Sequence, residues 1–308
     1  MRVAGIDCGT NSIRLLIADT VDGRLVDVVR EMRIVRLGEG VDRTGQLAPA
    51  ALERTRIALS DYGEAIAAHD TERVRMIATS ATRDAQNRDV FVAMVRDVLG
   101  VEPEVVSGAE EAALSFAGAA DGLPGVSGRL LVVDIGGGST ELVLGEPSAP
   151  DVLQSHSMDV GCVRMTERHL HDDPPTAEQV RATVDDLRAA ISSAAADVSI
   201  TAPATFVGLA GTVTTVAAIA LGLERYDAEA IHGSALSAAQ VHDVTARLLG
   251  MKRAELAALP VMHPGRVDVI AGGALVLRTL LEATGSSEIV ASEHDILDGI
   301  ALSVRAIA

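Results

Sequence analysis

Two short segments of the chain each place an aspartate before a glycine-containing turn between apolar runs. Residues 3–17 read VAGIDCGTNSIRLLI and residues 130–144 read LLVVDIGGGSTELVL. Shifted by 127 positions, Asp7 falls on Asp134, Gly9 on Gly136 and Ser12 on Ser139. Each segment reads as strand, turn, strand, a β-hairpin. Glycines let a turn backbone approach a ligand, and successive N–H groups can wrap phosphate oxygens. One such turn says little. Two in register, each with its aspartate, point to a site that handles phosphate and a cation. In the first turn Gly9, Thr10, Asn11 and Ser12 offer amide and hydroxyl donors. Arg14 shares a strand face with Ser12 and can form a bidentate phosphate contact. In the second turn, Gly136, Gly137, Gly138 and Ser139 lie between Asp134 and Glu141, two hard oxygen donors suited to Mg²⁺. Asp7 is a further candidate ligand.

Four more segments carry phosphate-binding residue types. The stretch ATSATR, residues 78–83, follows an apolar strand and brings Ser80 and Arg83 to a strand end. The stretch VVSGAEEA, residues 105–112, has the S-x-x-E spacing of a capping box at Ser107 and Glu110. In such a box Glu110 turns back to the Ser107 amide. Glu111, about 100° further round the helix, is then free to act as a general base. The plainer reading makes both glutamates first-turn residues favoured by the helix dipole. The run Val207–Val213 is a strand, a tight glycine turn and a helix start, with Gly211 and Thr212 at the phosphate-binding end. Arg266, in the Pro264-Gly265-Arg266 turn, can reach a second phosphate. The run HLHDDPP, residues 169–175, reads as a solvated turn rather than a metal cluster, and Cys162 as a small packed residue. No Walker A lysine motif, Rossmann G-x-G-x-x-G or G-x-S-x-G nucleophile elbow is present.

These segments need two α/β halves to position them. In the first, strands are expected near 25–35, 74–79 and 104–106, with helices at 49–68 and 89–99. In the second, strands are expected near 130–133, 141–144, 152–157 and 205–209. Its helices are expected at 164–169, 176–195 and from 211 onward, with a final helix at 295–306 that packs back on the first half. A glycine-rich stretch at 118–128 sets the expected domains at 1–124 and 125–308.

The 308 residues suffice for two such domains, and 48% hydrophobic content makes the chain globular. Two cysteines cannot form a disulfide framework or a four-ligand zinc site. No charged, apolar leader pattern is seen, so the expected compartment is the cytoplasm. A net charge of −17 repels nucleic acid and anionic membranes, and neither is an expected partner. Aromatic residues make up only 2%, which leaves few rings for stacking a nucleotide base.

The motifs DCGTNSIRLLIAD, ATSATRDAQN, VVSGAEEA, VVDIGGGSTELVLG and GLAGTVTT, with the 264–273 segment, resemble the exopolyphosphatase/guanosine pentaphosphate phosphohydrolase family in order and spacing. The resemblance covers nearly the whole chain. It implies two ribonuclease-H-like, actin-like domains around a central cleft. It implies Glu111 as catalytic base, Asp134 and Glu141 as Mg²⁺ ligands, and Arg14, Arg83 and Arg266 as phosphate contacts. Gly137, Gly138 and Ser139, with Gly211 and Thr212, match the family's two phosphate loops. The implied reaction releases orthophosphate from the end of inorganic polyphosphate. The alternatives are guanosine pentaphosphate hydrolysis, a sugar or acetate kinase of the same superfamily, and a non-catalytic sensor. Where the family often carries a Gly-Leu-Arg-Glu-Gly-like run, this chain has His294-Asp295-Ile296-Leu297-Asp298-Gly299, without the arginine. Longer members add helical domains associated with long polyphosphate, so shorter chains or guanosine pentaphosphate are expected here. The long helices at 49–68 and 176–195 are candidate faces for an expected homodimer.

Overall fold

A computed structural model describes residues 1–22, 24–123, 128–147, 152–201 and 205–304. The chain forms two compact units, Met1–Gly118 with Asp295–Ala308, and Ala119–His294. The sequence-expected boundary between residues 124 and 125 lies outside the described residues.

The first unit contains β1 (Arg2–Cys8), β2 (Ser12–Val21), β3 (Arg24–Ile34), α1 (Val41–Thr44), α2 (Pro49–Ala68), β4 (Arg73–Ala78), α3 (Ser80–Asp84), α4 (Arg88–Leu99), β5 (Glu104–Val105) and the start of α5 (Gly108–Gly122). The second contains β6 (Leu130–Ile135), β7 (Thr140–Gly145), β8 (Gln154–Met158), α6 (Cys162–His169), α7 (Ala177–Ala194), β9 (Thr205–Leu209), α8 (Ala210–Ala220), α9 (Ala228–Ile231), β10 (Ala235–Ser237), α10 (Ala238–Gly250), α11 (Arg253–Ala257), α12 (Ile270–Thr284) and β11 (Glu288–Ala291). The last helix, α13 (Ile296–Ser303), belongs to the first unit. The expected final helix runs on to residue 306, and residues 305–308 lie outside the described set.

The sheet orders are β3-β2-β1-β4-β5 and β10-β11-β9-β6-β7-β8. In both, an antiparallel meander feeds a parallel pair, β1 with β4 and β6 with β9. The sequence repeat is therefore a repeat of topology, and the α/β halves expected from it, with the ribonuclease-H-like class that the resemblance implies, are what is found. Every residue of β6 is buried, as a strand covered on both faces requires. Helix α2 starts with Pro49 at its first turn and buries Ala51, Thr55, Ala58, Leu59 and Tyr62, a helical spacing that packs it on the first core. Helices α7 and α10 open with capping boxes, Thr176 with Gln179 and Ser237 with Gln240.

Helix α13 lies on β1 and crosses α5 very closely. A Cβ at Gly118 would sit 1.9 Å from the Asp295 carbonyl oxygen, and one at Gly299 would sit 2.0 Å from that of Leu114. Only glycine permits this approach, which brings Asp295 to the first hairpin.

Candidate active site

In the first unit the turn between β1 and β2 is closed by the Gly9 amide, which donates to the Ser12 carbonyl at 2.9 Å. Parallel pairing of β1 with β4 brings the start of α3 alongside. Thr10 Oγ1 and Ser80 Oγ lie 2.9 Å apart, both buried. The Asn11 carbonyl accepts from the amides of Val35 and Arg36 and anchors the turn from below.

Arg14 is engaged within the protein. Its Nε and Nη2 donate to Asp7 Oδ2 at 3.0 and 2.7 Å, and its Nη1 donates to Asp295 Oδ2. Two carboxylates thus engage the guanidinium expected as a phosphate contact, and through them it orders the hairpin. Burial pushes the Asp7 carboxyl above the usual carboxylate range, against the pull of Arg14. Asp7 Oδ1 is buried and has no hydrogen-bond partner among the described residues, so this oxygen suits a water or a cation.

The α5 glutamates also depart from expectation. Ser107 Oγ accepts from the Glu110 amide at 3.3 Å, half of the expected capping box. The Glu110 carboxylate accepts from Arg75 Nη2 at 3.0 Å, and Arg75 also holds Glu104 and the Ser303 hydroxyl. An arginine on β4 outcompetes the amide because a charge-assisted hydrogen bond is the stronger. Glu111, expected to be unpaired, accepts from Arg83 Nη1 at 2.9 Å. The same Nη1 donates to the Val106 carbonyl at 3.1 Å. The Glu111 side chain is only 9% exposed.

In the second unit Gly136 donates to the Ser139 carbonyl at 3.0 Å, the same turn as in the first hairpin. The start of α6 braces this loop. The amides of Cys162, Val163 and Arg164 donate to the carbonyls of Gly136 and Gly137 at 2.9–3.1 Å, and Arg164 Nε donates to that of Gly138 at 2.6 Å. A trans peptide points its N–H opposite to its C=O. The amides of Gly137, Gly138 and Ser139 therefore face away from α6 as a row of donors, a nest for an anion. Asp134 and Glu141 are cross-strand partners in the β6–β7 ladder, both buried. Ser157 Oγ donates to Glu141 Oε1 at 2.7 Å.

The start of α8 carries the other expected loop. The left-handed residue there is Ala210, with φ 65°, rather than one of the glycines around it. A non-glycine residue in this region carries backbone strain, a frequent companion of a binding loop. Gly211 serves a different purpose. A Cβ there would lie 2.3 Å from Arg266 Cζ, so its absence lets the guanidinium lie on the helix start. Arg266 Nη1 donates to Thr215 Oγ1 at 3.0 Å, and Thr215 Oγ1 donates to the Gly211 carbonyl at 2.6 Å. Thr212 is buried beside Gly273.

Among the described residues no three His, Cys, Asp or Glu side chains form a metal cage. The chemistry of the donors still fits Mg²⁺. Asp134 and Glu141 are paired carboxylates beside an anion nest, and Mg²⁺ commonly takes one or two carboxylates plus phosphate oxygens and water. His169, in the HLHDDPP run, lies 3.0 Å from Asp186 instead of joining a cluster. No described helix is long and apolar enough to cross a membrane.

The family model described as Ppx/GppA phosphatase matches residues 16–305. The chain belongs to the Ppx/GppA phosphatase family. It is 54% identical to a Mycobacterium tuberculosis protein named exopolyphosphatase 2, over 98% of each chain. It is 36% identical to a Photobacterium profundum protein named guanosine-5′-triphosphate,3′-diphosphate pyrophosphatase, over 71% of this chain and 43% of that one. Among solved structures, an exopolyphosphatase-like protein aligns over the full length of both chains, with 44% identity and a TM-score of 0.95. An Aquifex aeolicus Ppx/GppA family member aligns over 100% of this chain and 98% of its own, with 31% identity and a TM-score of 0.84.

Four features of the candidate site had not been read from the sequence: Asp295 on Arg14, Thr215 under Arg266, the α6 brace of the glycine loop, and the strained Ala210. Thr215 had a local signal, the helical i, i+4 spacing from Gly211. Asp295 had none, because 281 residues separate it from Arg14.

Proposed function

We propose that this chain is an exopolyphosphatase that releases orthophosphate from the end of inorganic polyphosphate. The observation that carries the reading is the Asp134–Glu141 pair flanking a glycine turn whose amides form an anion nest. The 54% identity to exopolyphosphatase 2 over nearly the whole chain supports it.

The residues divide the work. Gly137, Gly138 and Ser139 bind phosphate oxygens through their amides, in the loop that Gly136 closes with its own amide on the Ser139 carbonyl. Thr10, Asn11, Ser12 and Ser80 form a second set of small donors, in and beside the turn that the Gly9 amide closes. Gly211 and Thr212, at the start of α8, act with Arg266 on a further phosphate. Arg83 contacts the phosphoryl group under attack, and Arg14 keeps Asp7 in place. Asp134 and Glu141, with Asp7 as a further candidate, hold the Mg²⁺. When bound, that ion draws charge from the non-bridging oxygens. Glu111 orients a water in line with the terminal phosphorus and takes its proton as the O–P bond forms. The bridging P–O bond breaks, and the shortened chain leaves with the electron pair. Positioning and charge stabilisation supply most of the rate, as in phosphoryl transfer generally.

A second reading is hydrolysis of guanosine pentaphosphate, favoured by the likeness to the guanosine-5′-triphosphate,3′-diphosphate pyrophosphatases. The proposal includes a cytoplasmic homodimer, which light scattering tests. The deciding experiment measures phosphate release with Mg²⁺ from short polyphosphate, long polyphosphate and guanosine pentaphosphate in parallel. Release from polyphosphate supports the first reading, and release from guanosine pentaphosphate alone promotes the second. Binding without release would leave a sensor.

A further inference from the structure

The proposed base and a proposed phosphate ligand are bound to each other. Arg83 Nη1 donates to Glu111 Oε2 at 2.9 Å and to the Val106 carbonyl at 3.1 Å. The Glu111 side chain is 9% exposed and that of Arg83 24%, so solvent screens the pair poorly. In this pairing one carboxylate oxygen is already occupied by the guanidinium. Nη1 serves both acceptors, Glu111 and the Val106 carbonyl. A phosphate oxygen that replaces Glu111 therefore leaves the backbone anchor at Val106 intact.

We propose that Arg83 is a substrate-released latch on Glu111. This rests on the assignment of Glu111 as base under the proposed function. An arriving terminal phosphate competes for the guanidinium and draws it off the carboxylate. Glu111, no longer held by Arg83, then orients the in-line water and accepts its proton. The base is released only when a phosphoryl group is present. Arg83 is in this respect a positioning residue: it acts through Glu111 as well as on the substrate. The latch also imposes a cost on binding, since the ion pair must open before the phosphate is held.

That cost is measurable without turnover. A methylene-bridged tripolyphosphate, which cannot be hydrolysed at its bridges, is titrated with Mg²⁺ into the native chain, E111Q, R83Q and the double variant by calorimetry. E111Q removes the competitor for Arg83, and it also removes a negative charge near the ligand. Only the first effect needs Arg83. The expected result is tightening by E111Q of about tenfold when Arg83 is present, and of about twofold or less in the R83Q background, a coupling within the usual range for contacting residues. Equal tightening in both backgrounds overturns the latch. If R83Q does not fold, as judged by circular dichroism and thermal midpoint, R83K replaces it. A lysine ammonium is a point charge without the planar guanidinium that places Nη1 between Glu111 and the Val106 carbonyl, so E111Q must then tighten binding by clearly less than with Arg83, and undiminished tightening overturns the proposal. Failure of all four proteins to bind the probe overturns the phosphate-site reading itself, a result distinct from an additive cycle.

Discussion

Asp134 and Glu141 face each other across β6 and β7 at the register positions that Asp7 and Arg14 occupy across β1 and β2. The same hairpin thus carries an acid–base pair in one unit and two acids in the other. Asp7 and Arg14 neutralise one another through two hydrogen bonds. Two buried carboxylates directly opposite each other repel, and a divalent cation removes the repulsion. The duplicated scaffold has one copy organised by an internal arginine and one suited to an external metal.

Metal dependence should follow that pair. Asp134→Asn or Glu141→Gln is expected to raise the Mg²⁺ concentration for half-maximal phosphate release at least tenfold, roughly the effect of disturbing a metal's ligand environment. A chelator should abolish release and added Mg²⁺ restore it. An unchanged Mg²⁺ titration in both variants would remove the pair from this role.

Glu111→Gln should lower turnover by about 10²-fold or more, while binding of phosphate compounds is kept or improved. Steady-state turnover and calorimetric affinity measured on one preparation check this. Near-normal turnover would take Glu111 out of the proton transfer.

Gly211→Ala tests how Arg266 is seated. The new Cβ would meet the guanidinium at 2.3 Å and displace it from the start of α8. The expected outcome is a fall in kcat/KM of about tenfold, the worth of roughly one charge-assisted hydrogen bond, with the rise in KM larger than the loss in kcat. A variant with native KM would show that Arg266 does not touch substrate.

Cys162 provides a pH test of the second core. Burial pushes its thiol from an ordinary 9.0 up to about 11, with Thr212 and Arg266 pulling slightly the other way. Between those values the folded chain keeps a proton that the unfolded chain has released. Stability is therefore lost as pH rises from about 9 to about 11, by roughly 2–3 kcal/mol. Urea titrations of the native chain against Cys162→Ala should show a constant difference below pH 9 that declines towards pH 11. A difference that stays flat would contradict the burial seen for this thiol. Alkylation of native Cys162 at neutral pH should be correspondingly slow.

Much of the architecture was readable in the chain because its signals are local. The strand–turn–strand repeat shows as apolar runs interrupted by Asp and Gly, and both sheets have the topology it implies. The start of α2 is marked by Pro49, and the α7 cap by Thr176 and Gln179. The candidate site residues were legible for the same reason, as clusters of small donors and acids at strand ends. Their partners were not. Glu110 pairs with Arg75 rather than closing its capping box, and that competition depends on which strand packs beside α5.

The sequence by itself determined the two α/β halves, their duplicated hairpins, and which residues are candidates for handling phosphate and metal. Periodicity, turn residues and motif spacing all act over a few residues. Only the tertiary structure decided which charges remain available. Arg14 is bound by Asp7 and by Asp295, which α13 delivers from the far end of the chain, while Arg83 rests on Glu111. Ion pairing depends on distance in space and on burial, and neither is encoded by separation along the chain.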